Sequence, residues 1–280
     1  MKVSFLGIGA QKCASTWISE VLADHPQVAM AVSEPLDFFS YRFENGYRWY
    51  EKQFPAHQAG RHFGEMSQSY FHEPAVVDRV WGYARDLRII VSLRDPVERA
   101  LSQHRHLVRL GIVGSEDLRF EPSLETNPTY VDQGRYFTHL SRWFDRFGAE
   151  QVLIVLMEDI TADPANVASR LYRFLGVNQN HRPACLNRVS NASYVTRYNV
   201  LERLVRGLSG RVESIGGGKA WNALAATGLR SAYRKFNRRP SESVIPPPLP
   251  DTIEQLRATF LPEVAALSRL INRDLSHWLR

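Results

Sequence analysis

Cysteine is scarce in this chain: Cys13 and Cys185 are the two thiols in 280 residues. Two thiols make no disulfide framework, and a chain of this length buries enough apolar surface to need none. A reducing, cytoplasmic compartment is the expectation. No apolar run approaches the roughly 18–20 residues of a membrane span, so no integral membrane segment is expected. The apolar part of Met1 to Gly9 is too short for an export leader. Asn191-Ala192-Ser193 has the form of a glycosylation site, and without an export signal it reads as chance. There is no internal repeat and no sustained heptad. With 44% hydrophobic and 23% charged residues, the chain is neither disordered nor collagen-like.

The charge that is present is unevenly placed. Between Arg188 and Arg239 eleven Lys and Arg residues stand against Glu202 and Glu213, a local net charge of +9 within a chain of net +6. The remainder therefore carries −3. Such a stretch faces a nucleic acid, a membrane surface or an anionic ligand, or else it is a solvated helical face. Tyr194, Tyr198, Trp221 and Tyr233 interleave with it, but without the spacing of an RNA-binding module.

Apolar periodicity places the elements. Val3 to Gly9 reads as a buried strand, and Thr16 to Ala23 has helical spacing, stopped by Asp24-His25-Pro26. Further strands are expected at Val28 to Val32, Arg88 to Leu93 and Gln151 to Met157. Asp95-Pro96 and Asp163-Pro164 each open a helix, the second running to Leu175-Gly176. Ile253 to Leu279 has helical periodicity and is expected to dock on the core. Strands that are apolar on both faces and alternate with helices predict an α/β fold with a parallel sheet covered on both sides. Glycines between Gly207 and Gly218, and prolines between Pro240 and Pro250, read as loops inside one domain of residues 1–280.

Between the first strand and helix lies Gly9-Ala10-Gln11-Lys12-Cys13-Ala14-Ser15-Thr16. Backbone N–H groups at a helix N-terminus favour an anion, Lys12 adds a full charge, and Ser15 and Thr16 add hydroxyl donors. The spacing is not that of the Walker A loop, because the lysine precedes the small residues. Taken alone, the stretch is also compatible with an ordinary strand-to-helix turn.

Five segments in order extend this. Phe5 to Thr16, followed by His25-Pro26-Gln27-Val28, resembles the 5′-phosphosulfate loop of sulfotransferases that use 3′-phosphoadenosine 5′-phosphosulfate (PAPS). Ser33-Glu34-Pro35-Leu36-Asp37-Phe38-Phe39 resembles their K-E-x-x-F-F segment, and Gly64-Glu65-Met66-Ser67-Gln68-Ser69-Tyr70 their G-E-x-[ST]-P-x-Y segment. Leu93 to Ser102 is similar to their 3′-phosphate motif. Gly134-Arg135-Tyr136, His139-Leu140 and Trp143 are similar to their G-x-Y-x-x-H-L-x-x-W helix, and Phe174-Leu175-Gly176 closes the recognisable core of residues 1–176. The carbohydrate-type and bacterial small-molecule branch is the nearest in pattern.

The resemblance implies a P-loop NTPase-like fold with a mostly helical C-terminal part, residues 177–280, forming a lid and acceptor region. It implies PAPS as donor co-substrate, no metal, and a small-molecule or carbohydrate acceptor. Lys12 would meet the oxygen bridging phosphate and sulfate, and Cys13, Ala14, Ser15, Thr16 and Trp17 would supply backbone and hydroxyl donors to the 5′-phosphate. Arg94 and Ser102 would hold the 3′-phosphate. Glu34 is the expected general base, although Ser33 replaces the family's lysine and the usual histidine gives way to Leu36 or Asp37 with one residue extra. His62, His72 and His104 are alternative bases. Arg188 and Arg197 are the expected lid contacts, which makes a small charged nucleotide, not a nucleic acid, the partner of the basic stretch. Cys13 at a helix N-terminus is open to a lowered thiol pKa, against the plainer reading of a small residue in a tight loop. Aromatic residues from Phe38 to Tyr50 line an acceptor pocket or pack a core. The competing functions are a nucleotide kinase or NTPase, which the missing Walker A spacing disfavours, and a non-catalytic nucleic-acid binder, which leaves the five segments unexplained.

Overall fold

Short apolar strands build one parallel sheet: β1 (Phe5–Gly9), β2 (Val28–Met30), β3 (His62–Met66), β4 (Arg88–Leu93) and β5 (Val152–Leu156). Their order is β2-β3-β1-β4-β5, with every neighbouring pair parallel. The computed structural model describes residues 2–56, 60–114, 117–186, 194–196, 238–240 and 243–280. By internal packing the chain forms two units. The first comprises Met1–Ala100, Pro128–Asn191 and Ile253–Arg280, and the second Leu101–Asn127 and Ala192–Thr252.

The helices in chain order are α1 (Ser15–Asp24), α2 (Phe38–Tyr41), α3 (Gly46–Glu51), α4 (Pro74–Tyr83), α5 (Pro96–Leu110) and α6 (Phe120–Thr126). There follow α7 (Thr129–Asp132), α8 (Tyr136–Phe147), α9 (Met157–Ala162), α10 (Pro164–Leu175) and α11 (Pro250–Leu270). Trp17, Ile18, Val21 and Leu22 of α1 meet Val167, Leu171, Tyr172 and Leu175 of α10 over Phe5, Ile90 and Val155 of the sheet. Each such side chain removed from water contributes about 1.5–3 kcal/mol. By the two-residue alternation of strands, Leu6, Ile89 and Val91 face the other way and are equally buried. On that account β1, β4 and β5 are largely apolar on both faces. The second unit holds the later part of α5, α6, and an antiparallel pair, β6 (Tyr194–Thr196) with β7 (Arg238–Pro240).

Local chemistry fixes the helix starts as expected. The Asp95 carboxylate accepts from the amides of Val97 and Glu98 at 2.8 and 3.2 Å, with Pro96 opening α5. Asp163 accepts from Asn166 at 3.0 Å, and α10 ends on Gly176 at φ 71°. Two expectations need correction. The sheet has a strand, β3, that hydrophobic patterning does not reveal, because His62-Phe63-Gly64-Glu65-Met66 carries a glycine and a glutamate at its centre. Gly64 is required there: a Cβ would stand 2.4 Å from the Phe5 ring. The last helix ends at Leu270, not Leu279. Asn272 takes a left-handed φ of 50°, and a 3-10 turn at Ser276–Leu279 then buries Trp278, whose indole N–H donates to Glu158 at 3.0 Å. α11 docks through Leu256, Phe260, Val264 and Leu267, as its periodicity demands.

Candidate active site

Strand order locates a crevice. The chain leaves β1 toward the β2 edge, whereas β4 lies on the other side of β1, so the carboxyl ends of β1 and β4 border a topological switch point, where open α/β sheets bind ligands. The two ends are tied together: the Ala10 amide donates to the Ser92 carbonyl at 2.7 Å, and the Ser92 hydroxyl donates to the Gly9 carbonyl at 3.2 Å. Gly9 has φ 136° and its α-carbon lies against the Gln68 turn, where a Cβ would be 3.0 Å from a backbone oxygen.

The loop that follows turns through two left-handed residues, Lys12 at φ 69° and Ala14 at φ 64°. Ala14 is the N-cap of α1 and offers no side-chain cap, so the first-turn amides keep their affinity for an anion. Ser15 is buried and accepts from the Gln68 amide nitrogen at 3.0 Å, while Thr16 is exposed. The Trp17 side chain belongs to the core beside α10, with its N–H toward the Leu186 carbonyl at 3.4 Å, so any contribution to an anion site comes from its backbone.

Cys13 lies wholly inside, 3.7 Å from the Tyr136 hydroxyl. Burial pushes its thiol up to about 11, against smaller downward pulls from Tyr136, Arg99, Arg94 and Lys12. Desolvation outweighs the neighbouring charges, so the plainer of the two sequence readings holds: Cys13 is a small residue packed in a tight loop.

Arg94 closes β4 and pairs with Glu98 at 2.9 Å on the surface. That pair is worth about 0–1 kcal/mol, so it is readily exchanged for a phosphate. Ser102 is half-buried on α5, in the second unit. Arg188 and Arg197 lie outside the described residues.

Glu34 follows β2 and is held from two sides. The Ser19 hydroxyl donates to Oε2 at 2.6 Å and the Met66 amide donates to Oε1 at 3.1 Å. Burial raises its pKa, opposed by these two bonds. Ser19 is one helical turn past Ser15 on α1, so the carboxylate and the anion loop share one rigid element. Ser19 and the Met66 amide carry no signature in the linear sequence, since each acts through chain distances that only the fold closes.

Among the alternative bases, His62 begins β3, at the opposite end of the strands from the loop. The His104 ring is buried and bonded to the Leu118 carbonyl at 2.9 Å. His72 is at the right end of the sheet, half-buried, with burial lowering its pKa. The aromatic segment divides: Phe38, Phe39 and Tyr50 are fully buried core, with Phe38 stacked on Tyr50 at 4.5 Å, while Tyr41 is 68% exposed. Among the described residues, no cluster of three His, Cys, Asp or Glu side chains is placed to hold a metal ion.

Comparisons with known proteins agree with this geometry. Residues 4–199 match the model of the sulfotransferase domain family. Human heparan sulfate glucosamine 3-O-sulfotransferase 3B1 is 31% identical over 178 residues, covering 61% of this chain and 45% of that protein. Mouse bifunctional heparan sulfate N-deacetylase/N-sulfotransferase 4 is 29% identical over 198 residues, covering 63% and 22%. The chain thus spans less than half the length of these relatives. A sulfotransferase from Alicyclobacillus acidocaldarius superposes over 100% of both chains with a TM-score of 0.72 at 24% identity, which shows the fold. A five-stranded parallel sheet with its anion loop at the β1–β4 switch point, and a family match over most of the length, lead to one assignment: the chain belongs to the sulfotransferase domain family.

Proposed function

We propose that the protein transfers a sulfuryl group from PAPS to a hydroxyl or amine of a small-molecule or carbohydrate acceptor. The observation that carries this reading is the shared helix: the uncapped N-terminus of α1 and the carboxylate of Glu34, bound to Ser19 one turn later, are set by one element. The names of the relatives, an O-sulfotransferase and an N-sulfotransferase, support both acceptor chemistries. The residues present fit the donor, since a loop with two left-handed residues and an open first turn is concave and rich in N–H groups.

When bound, PAPS supplies an activated sulfuryl group, and its departure leaves 3′-phosphoadenosine 5′-phosphate (PAP). The amides of Cys13 to Trp17 and the hydroxyls of Ser15 and Thr16 hold the 5′-phosphate. Lys12 neutralises charge where it grows on the departing oxygen, a service worth about 3–4 kcal/mol when preorganised. Arg94, giving up Glu98, grips the 3′-phosphate. Glu34 takes the acceptor's proton at the carboxylate. Burial raises its pKa, which makes the carboxylate a stronger base for that role.

Two measurements test the reading. Transfer of labelled sulfate from PAPS to a panel of hydroxyl and amine acceptors should be lost in Glu34→Gln, with PAP binding intact. PAP should raise the thermal midpoint well above the rise given by ATP. Near-normal transfer in the variant would sink the base assignment, and equal stabilisation by both nucleotides would favour a kinase.

A further inference from the structure

Glu65 has no exposed surface, although it carries a carboxylate in the middle of β3. Such residues are almost never fully buried unless paired. Hydroxyls and an amide surround it. The Ser67 hydroxyl donates to Oε2 at 2.5 Å, the Tyr70 hydroxyl to Oε1 at 2.7 Å, and the Leu36 amide to Oε2 at 3.3 Å. The same hydroxyls accept from the chain that follows Glu34. The Asp37 amide donates to Ser67 Oγ at 2.9 Å, and the amides of Phe38 and Phe39 donate to Tyr70 Oη at 2.8 and 3.3 Å. Every amide from Leu36 to Phe39 thus ends on this carboxylate, directly or through one hydroxyl. The next residue along β3, Met66, donates its own amide to Glu34.

We propose that Glu65 is a positioning residue for the transfer reaction: its carboxylate gathers the amides of residues 36–39 and so seats Glu34 between Ser19 and Met66. The proposal rests on the reading of Glu34 as the base. A neutral apolar residue at this position would strand two buried hydroxyls and an amide without their acceptor. Burial pushes Glu65 up to about 7 against its bonds to Ser67 and Tyr70, with the like charge of Glu34 adding to the rise. The G-E-x-[ST]-x-x-Y spacing is the linear trace of this arrangement, placing carboxylate, relay hydroxyl and relay phenol at 65, 67 and 70.

The test reads Glu34 itself, without an acceptor. Carbon-13 glutamate spectra of the full chain, with the Glu34 line identified by its loss in Glu34→Gln, give its titration midpoint. In Glu65→Gln the midpoint should fall by about half a unit or more as water reaches the loosened segment. The amides of residues 36–39 should exchange at least tenfold faster, and His25, beyond the far end of α1, should titrate unchanged. Tyr70→Phe keeps the carboxylate and should move the same readouts in the same direction by less. A folded Glu65→Gln with the Glu34 midpoint and the four amides unmoved overturns the proposal. If Glu65→Gln does not fold, an unmoved Tyr70→Phe overturns it equally. Failure of the sulfotransferase reading would appear elsewhere, as undiminished transfer in Glu34→Gln or absent PAP stabilisation.

Discussion

The loop after β1 and the segment after β2 both meet α1, yet different parts of the chain shape them. From residue 10 to 14 the form is set by backbone: two left-handed residues and a helix start without a side-chain cap. From residue 34 to 40 the form is set by side chains, a connected set of carboxylates and hydroxyls with bonds of 2.5–3.3 Å. A group as highly charged as a phosphate is met well by fixed backbone dipoles, which cost no rearrangement when charge develops. Proton removal instead needs one carboxylate in one place with a tuned pKa, and only side-chain packing supplies that. Substitutions on the donor side should therefore change binding and rate with little effect on folding, and those on the acceptor side should change both.

The largest effect expected on the donor side is at Lys12. Lys12→Met keeps chain length and backbone geometry while removing the charge. Transfer of labelled sulfate should fall by about 100- to 1,000-fold, equivalent to roughly 3–4 kcal/mol of barrier, with the thermal midpoint nearly unchanged. A rate within threefold of the parent would show that Lys12 does not act on the reacting bond.

Next in size is Arg94. Arg94→Ala should weaken PAP binding by about 10- to 100-fold, the worth of charge-assisted hydrogen bonds at roughly 1.5–3 kcal/mol. Stability should change by under about 1 kcal/mol, because among the described residues the loss is a half-exposed ion pair with Glu98. Binding of AMP, which lacks the 3′-phosphate, should be unaffected in calorimetric titration. An equal loss for AMP and PAP would remove Arg94 from 3′-phosphate recognition.

The donor side is the half that a linear reading recovers, and the comparison explains why. Backbone-shaped loops are built from short contiguous stretches, so the turn from Gly9 to Thr16 is legible in local spacing. The acceptor side is assembled from α1, β2, β3 and the turn after it. Glu34 could be singled out by its motif, but neither Ser19 nor the role of Glu65 could be. Strand β3 escaped for the same reason: its centre is Gly64 and Glu65, chosen for the Phe5 ring and for the buried network, not for hydrophobic period. The aromatic residues after Glu34 had two readings in sequence, and burial decides for core at Phe38, Phe39 and Tyr50. Cys13 shows a local rule overruled, since complete burial outweighs the helix terminus that would lower its pKa.

The smallest effects make the sharpest contrast, because both sides contain a left-handed residue before a helix: Ala14 at φ 64° and Asp37 at φ 50°. An alanine held there costs about 1–2 kcal/mol relative to its preferred backbone, while glycine adds roughly 0.4–1 kcal/mol of unfolded-state entropy. Ala14→Gly should thus be neutral to stabilising by about 1 kcal/mol, read as a rise of up to a few degrees in the thermal midpoint. Asp37 is better suited to this conformation, and its carboxylate accepts from the Ser69 hydroxyl at 2.6 Å. Asp37→Gly gives up that bond for little relief, so it should destabilise by about 1 kcal/mol. The same substitution by glycine at the same backbone geometry should shift the midpoint in opposite directions on the two sides. Shifts of the same sign would mean that backbone strain governs both, and that the division between a backbone-built donor side and a side-chain-built acceptor side does not hold.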